Sequence, residues 1–156
     1  GGETVEPAIP PHAPRTSTHA IGTLAHIECG EMSTAGQETS LNLVIRGGRR
    51  VCLRSRSYRP NGLTYAAAEC LDEPADRALC PAHRQLLPLL MRVVGDLGPE
   101  KIPEPYRYED AAWVGYRLCE ILPVQALAKQ KLLELDDPAA RLDILQTYLA
   151  QRGLLG

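Results

Sequence analysis

Alternating apolar and polar residues dominate the first half of the chain. Four segments follow the period-two pattern that is typical of half-buried strands, with turn residues between them. The predicted strands are Ala20–Cys29, Thr39–Arg46, Arg50–Tyr58 and Leu63–Cys70. The predicted turns are Gly30–Gln37, Gly47-Gly48 and Pro60-Asn61-Gly62. We expect the glycine pair to reverse the chain with positive φ, which predicts an antiparallel meander rolled into an open barrel.

The second half changes to the three-to-four-residue apolar period of amphipathic helices. A long pattern over Pro81–Leu97 predicts the first of these helices. Pro88 lies inside the pattern, and because a proline ring clashes with the preceding turn, we expect a kink or an interrupted start there. Gly98 and Pro99 are suited to end the helix.

Three shorter helices are predicted after it. Pro123 ends the first of them, because a proline biases the residue before it away from the α region. Asp137 and Pro138 suit the N-cap and the first turn of the last helix, and Gly153 suits its end. The middle helix is predicted over Val124–Leu135, with an apolar stripe of Leu127, Leu132, Leu133 and Leu135.

These patterns divide the 156 residues into three parts. Residues 1–19 form a proline-rich arm, which we expect to be flexible. Residues 20–74 form the β-barrel part, and residues 75–156 form a helical subdomain of about four helices. The predicted fold class is therefore α+β, in one domain or in two subdomains.

Charge and motif content exclude several classes of function. The net charge of −2 gives no general attraction to nucleic acid or to an anionic membrane. The five cysteines are scattered and form no C-x-x-C pair, which indicates a reducing cytoplasm with neither disulfides nor zinc. The chain has no phosphate-binding G-x-x-x-x-G-K-[ST] loop, no G-x-S-x-G elbow and no histidines at metal-ligand spacing. We expect no catalysis, no metal and no cofactor.

Arginines are concentrated in the third predicted strand and its flanks. The cluster consists of Arg46, Arg49, Arg50, Arg54, Arg56 and Arg59. Arg54 and Arg56 are expected on one strand face, where Tyr58 and Tyr65 are placed to stack on bases. An RNA-binding module is therefore an alternative function. The acidic balance argues against it, and strand arginines also serve as a solvated face that protects a sheet edge.

Three segments, in a characteristic order, resemble one known family. Leu122–Leu142 (LPVQALAKQKLLELDDPAARL) resembles the closing helices of the Lon protease N-terminal domain family. Ile21–Ile27 is similar to that family's G-T-x-A-x-I strand, and Leu43–Val51 is similar to its strand–glycine–arginine segment. Members occur at the front of Lon proteases and as stand-alone bacterial proteins, and this chain resembles the stand-alone kind.

The resemblance implies a fold and a function. It implies a PUA-like open barrel followed by helices, without the ATPase and serine–lysine peptidase parts of a full Lon protease. It also implies a non-catalytic domain that binds peptide or unfolded protein as an accessory to ATP-dependent proteolysis. A groove between barrel and helices is the expected site, with strand addition at an open edge as a further mode. The predicted contact residues are Arg50, Arg54, Tyr65, Tyr106 and Tyr108.

Two features of the sequence leave alternatives open. Tyr106 and Tyr108 are also suited to pack a seam inside the protein, since buried tyrosines commonly do so. The chain also contains no phenylalanine, and it lacks the P-L-F-P-L and R-x-F-E-P-R-Y runs of the family's first strands. We therefore expect a fragment or a divergent member with an open strand edge, through which copies of the chain would self-associate.

Overall fold

The α+β class predicted from the sequence is confirmed. The computed structural model describes residues 18–36, 38–59, 63–73 and 77–155, so the proposed arm and the turn at 60–62 lie mostly or wholly outside the described residues. The described strands form one antiparallel sheet and are followed by helices. The chain divides into two compact units, Gly1–Asp72 and Glu73–Gly156. The three-part domain division made from the sequence stays a prediction.

The sheet of the first unit has three strands in the order β1-β2-β3. They are β1 Ile21–Ala35, β2 Glu38–Tyr58 and β3 Thr64–Cys70. The first part of β2 pairs with β1 and its last part pairs with β3, so that three strands lie side by side only around Val51 and Cys52. Arg50 and Val51 are buried there, whereas apolar residues along the rest of the β1–β2 ribbon are exposed. Self-association through an open strand edge stays a prediction.

The glycine pair Gly47-Gly48 does not reverse the chain, and this sequence-based prediction was wrong. β2 runs through both glycines, and neither has positive φ. The register with β1 shifts at this point, since Thr23 pairs with Arg50 but Ala25 pairs with Gly47. The glycines therefore lie at a β-bulge, which adds a residue to one strand and increases the local twist. The predicted strands Thr39–Arg46 and Arg50–Tyr58 are therefore parts of the single strand β2. The described residues form three strands rather than the predicted four.

The predicted loop Gly30–Gln37 is mostly strand. β1 continues to Ala35 and β2 starts at Glu38, so the reversal is much tighter than the polar composition suggested. Gly36 supplies the positive φ of 65° that such a tight turn needs. Polar residues pair as readily as apolar ones when neither face of a ribbon is buried, which explains why alternation failed to mark the strand end.

Helices of the second unit begin and end within about two residues of the predicted positions. A 3₁₀ helix spans Pro81–Leu86, and α1 Leu87–Leu97 follows with Pro88 in its first turn, which confirms the interrupted start. α2 Ala111–Ile121 ends before Pro123. α3 spans Ala126–Glu134. α4 Pro138–Gln151 has Asp137 as its N-cap, with the carboxylate accepting from the Ala139 N–H at 3.0 Å.

The core of the second unit lies between these helices. α4 packs chiefly against α2, and α1 and the 3₁₀ helix complete the packing. The described apolar side chains with 0% exposure are those of Leu86, Leu90, Val114, Leu118, Leu142 and Leu149. Leu132 is the only buried residue of α3 in this core, so the helix lies at the periphery of the core.

Candidate functional site

An apolar groove lies between α3 and α4 in the second unit. Its volume is about 580 Å³, within the range of roughly 300–1,000 Å³ that small-ligand sites occupy. The side chains that line it come from α3, the segments flanking α3, and α4. They are Val124, Gln125, Leu127, Ala128, Lys131, Leu132, Glu134, Leu135, Ile144, Leu145 and Tyr148.

Burial differs sharply between the floor and the rim of this groove. Leu132 and Leu145 are buried in the core and form the floor. Leu127 is 64% exposed and Ile144 is 50% exposed, so two large aliphatic side chains of the lining stay in water. Apolar surface in water is unfavourable, and its burial by a ligand releases free energy in proportion to the area removed. The groove is therefore suited to an apolar ligand.

The charged residues that line the groove neutralise each other. Lys131 Nζ lies 2.9 Å from Glu134 Oε2, one turn along α3. Gln130 Nε2 donates to the other carboxylate oxygen of Glu134 at 2.9 Å. A ligand thus meets no unbalanced charge among the lining residues, which favours neutral apolar side chains over charged ones.

Two hydrogen bonds connect α3 and the segment before it to the neighbouring helices. Tyr148 Oη of α4 donates to the Pro123 carbonyl at 3.3 Å. Lys129 Nζ of α3 donates to the Glu120 carbonyl near the end of α2 at 3.1 Å. The first of these bonds connects a residue of the groove lining, Tyr148, to the chain directly before α3.

Three of the predicted contact residues lie in the sheet of the first unit. Arg50 is 2% exposed in β2. Arg54 pairs with Glu69 of β3 at 2.8 Å, and the hydrogen bond to this carboxylate raises the pKa of the guanidinium above its usual value. Tyr65 is partly exposed, and the Arg59 guanidinium lies 4.5 Å from its ring centroid. These three residues therefore differ in environment: Arg50 is buried, Arg54 is paired with Glu69, and Tyr65 lies beside Arg59.

The other two predicted residues, Tyr106 and Tyr108, belong to one aromatic cluster of the second unit. Their ring centroids are 5.9 Å apart, and the Tyr108 ring meets Trp113 edge-on at 5.3 Å. Both tyrosines pack against the buried core of the helices. Burial raises the pKa of the Tyr108 phenol, and Tyr106 adds to the shift. This packing supports the structural interpretation of the tyrosines.

The arginine cluster is engaged within the sheet. Arg46 pairs with Glu28 at 2.5 Å, and Arg54 pairs with Glu69 at 2.8 Å. Arg56 donates to the His19 carbonyl at 3.0 Å. A register shift between Leu53 and Arg56 also interrupts the strand alternation that was expected to align Arg54 with Arg56. These contacts support the solvated-face interpretation over an RNA surface.

The described residues contain no group of three or more histidine, cysteine, aspartate or glutamate side chains placed to hold a metal ion. Among the same residues, no helix combines the length and the apolar character required to cross a membrane.

The α3–α4 groove was missed at the sequence level. Leu127 was predicted to share an apolar stripe with Leu132, and for Leu127 this was wrong. Leu132 follows Leu127 by five positions, which sets the two leucines roughly 140° apart around a helix. A usable signal was present in α4, where Ile144 and Tyr148 lie beside the stripe of Leu142, Leu145 and Leu149. An apolar surface wider than one stripe indicates either a second buried face or a binding surface.

Comparison with known families agrees with the fold. The sequence-family model of the ATP-dependent protease La (LON) substrate-binding domain matches residues 7–151 of this chain. The chain belongs to the LON substrate-binding domain family. This confirms the resemblance drawn from Leu122–Leu142 and from the two strand segments. The substrate-binding domain is the non-catalytic part of the Lon architecture.

Two solved structures are similar to this LON substrate-binding domain. A Lon N-terminal domain protein from Xanthomonas campestris is 31% identical, with 83% of this chain and 68% of that chain covered and a TM-score of 0.65. The N-terminal domain of the Mycobacterium avium complex Lon protease is 18% identical, with 88% and 75% covered and a TM-score of 0.56, and it supports the fold alone. No curated protein sequence matches the chain significantly.

Proposed function

We propose that this LON substrate-binding domain binds apolar segments of unfolded proteins in the groove between α3 and α4, as an accessory to ATP-dependent proteolysis. The observation that carries the proposal is the open apolar groove itself, with Leu127 and Ile144 exposed on its rim. The family description supports a protein substrate, since it names a substrate-binding domain of a protease. Unfolded proteins expose the neutral apolar side chains that folded proteins bury, and such side chains match the groove.

The test is a charge placed on the groove rim. Leu127→Asp is expected to weaken binding of fluorescently labelled, carboxymethylated α-lactalbumin by roughly 10-fold to 100-fold, measured by fluorescence anisotropy. The reason is that burying one leucine contributes about 1.5–3 kcal/mol, and each 1.4 kcal/mol is about tenfold in affinity. Leu127 lies in the first turn of α3, where an acidic side chain favours the helix dipole. The urea midpoint should therefore stay the same or rise while binding is lost.

Met91→Asp is the matched control. Met91 is 45% exposed on α1 and does not line the groove, so the same type of substitution there should leave the affinity unchanged. Native, folded α-lactalbumin is the control ligand. If the wild-type chain does not bind the unfolded protein, the proposed function is wrong. If it binds and Leu127→Asp binds equally well, the function stands but the groove is not its site.

The residues predicted from the sequence are a second proposed contact set. Replacement of Tyr65, Tyr106 and Tyr108 together by alanine is expected to weaken the same binding by about tenfold, because aromatic side chains commonly dominate binding energy. Tyr58→Ala is the control, as Tyr58 is exposed but outside the set. Circular dichroism, together with a cooperative urea transition followed by the same signal, reports whether the fold survives. Unchanged affinity in a folded triple variant would show that this second contact set does not bind the unfolded protein.

A further inference from the structure

A buried arginine of α4 lies against the C-terminal end of α3. Arg141 is 1% exposed. Its Nε donates to the Leu132 carbonyl at 2.9 Å, and one terminal nitrogen donates to the Leu135 carbonyl. The same nitrogen donates to Tyr116 Oη at 3.3 Å, and the guanidinium carbon lies 4.1 Å from the Tyr116 ring centroid. The arginine thus joins α2, α3 and α4 through a single side chain.

The end of α3 supplies acceptors for two of the three nitrogens of this buried guanidinium, Nε and Nη2, whereas Nη1 is buried with no hydrogen-bond partner among the described residues. The last four carbonyls of an α-helix have no partner inside the helix, and Leu132 is one of those residues in α3. The same helix end carries the partial negative charge of the helix dipole, which favours a cation. Charge-assisted hydrogen bonds from a guanidinium are stronger than those between neutral groups. Arg141 therefore satisfies the end of α3 and is itself stabilised by it.

The arginine depends in turn on a glycine of α2. A Cβ added at Gly115 would lie 3.2 Å from Arg141 Cδ, which is tighter than an ordinary van der Waals contact. Gly115 thus leaves the space through which the arginine reaches α3. By contrast, a Cβ added at Gly95 of α1 would meet no atom within 4 Å.

These contacts matter for the groove because α3 forms one of its walls. α3 contributes a single buried side chain, Leu132, to the core, and Arg141 holds the carbonyl of this same residue. Leu127 and Lys131 of the groove lining are carried on the helix that the arginine fixes. A binding site performs well only when a supporting shell holds its walls in place.

We infer that Arg141 is a positioning residue for the α3–α4 groove: it fixes α3 relative to α4 and thereby keeps the groove competent to bind. The part of this inference that concerns binding rests on the proposed function. The part that concerns α3 does not, since the order of a helix is measurable without any ligand.

The experiment measures amide hydrogen exchange and binding in the full chain. In Arg141→Met, exchange of α3 amides is expected to rise at least about tenfold more than exchange of α1 amides, because local opening and global unfolding are separable by this measurement. Binding of carboxymethylated α-lactalbumin is expected to weaken about tenfold or more. Arg141→Lys, which keeps the charge but loses the planar fork, should lie between Arg141→Met and the wild type in both measurements.

Gly115→Ala provides a second variant that keeps every hydrogen-bonding group. Alanine favours the helix more than glycine does, yet its Cβ requires Arg141 Cδ to shift by a few tenths of an ångström. We therefore expect affinity to fall about threefold or more although the helix propensity of α2 rises. Gly95→Ala makes the same change in open space and should bind like the wild type. Equal exchange in α3 and α1 of the Arg141 variants, or wild-type affinity in both Arg141→Met and Gly115→Ala, would overturn the inference. If the wild type binds no unfolded protein, the proposed function fails, and α3 exchange alone decides the role of Arg141.

Discussion

Replacing Leu142 with alanine is expected to lower the free energy of unfolding of the helical unit by about 2–5 kcal/mol. Leu142 is fully buried in α4. A Cβ at Gly115 would lie 3.7 Å from Leu142 Cδ2, so α4 meets the glycine face of α2 at close range. Helices already packed this closely cannot move far into the vacated space, and a cavity adds to the lost transfer free energy. This loss is a large share of the roughly 5–15 kcal/mol by which a domain is stable.

Urea unfolding followed by Trp113 fluorescence checks this expectation. Trp113 is the single tryptophan of the chain and lies in α2, so its emission reports on the helical unit. Ile144→Ala is the matched control, because Ile144 lies on the same helix but is half exposed, and it should cost within about 0.5 kcal/mol. A Leu142→Ala variant as stable as Ile144→Ala would mean that the α2–α4 interface is not the core of this unit.

Replacing Asp110 with alanine is expected to cost about 1–2 kcal/mol in the same measurement. Its carboxylate accepts from the Ala112 N–H at 2.9 Å and from the Trp113 N–H at 3.4 Å, which caps the start of α2. The residue is also largely buried, and its second oxygen lies 3.5 Å from Arg107. Removal leaves the first N–H groups of α2 without a partner where little water can replace the carboxylate.

Asp110→Asn separates the cap from the charge. Asparagine caps helices about as well as aspartate, so this variant should retain most of the stability. Asp137→Ala removes the corresponding cap of α4 at an exposed site, where water can substitute, and should cost less than Asp110→Ala. Equal losses in Asp110→Asn and Asp110→Ala would instead assign the stabilisation to the ion pair with Arg107.

The residues that end α2 and start α4 also limit the length of α3, which forms one wall of the proposed groove. Pro123 and Asp137 end and start the helices on either side of α3, which leaves α3 a short helix between two non-helical connections. A helix of 9 residues has little stability of its own, since helices shorter than about 12–15 residues are marginal in water. Its order must come from tertiary contacts, and for this reason we expect the loss of Arg141 to affect α3.

Helix boundaries, the α+β order and the family were all predictable from the sequence. Pro88, Pro123 and the Asp137-Pro138 pair act through steric clash and local hydrogen bonds, which depend only on neighbouring residues. For this reason they predict the same boundaries that the structure has. The segment Leu122–Leu142 identified the family because it combines several such local signals in one order.

Strand count and the candidate groove depended on tertiary structure. Whether Gly47-Gly48 turns or continues depends on β1 lying alongside and pairing across a bulge, which no local rule contains. Whether Leu127 is buried depends on how far α3 stands from α4, and periodicity marks apolar residues without stating which of them find a partner. From the sequence, Arg141 is expected on the surface. In the structure it is buried, because the carbonyls at the end of α3 accept its hydrogen bonds and Gly115 leaves room for its side chain. Local chemistry therefore determined where the elements of this protein begin and end, whereas long-range packing decided which of their side chains are left open to a ligand.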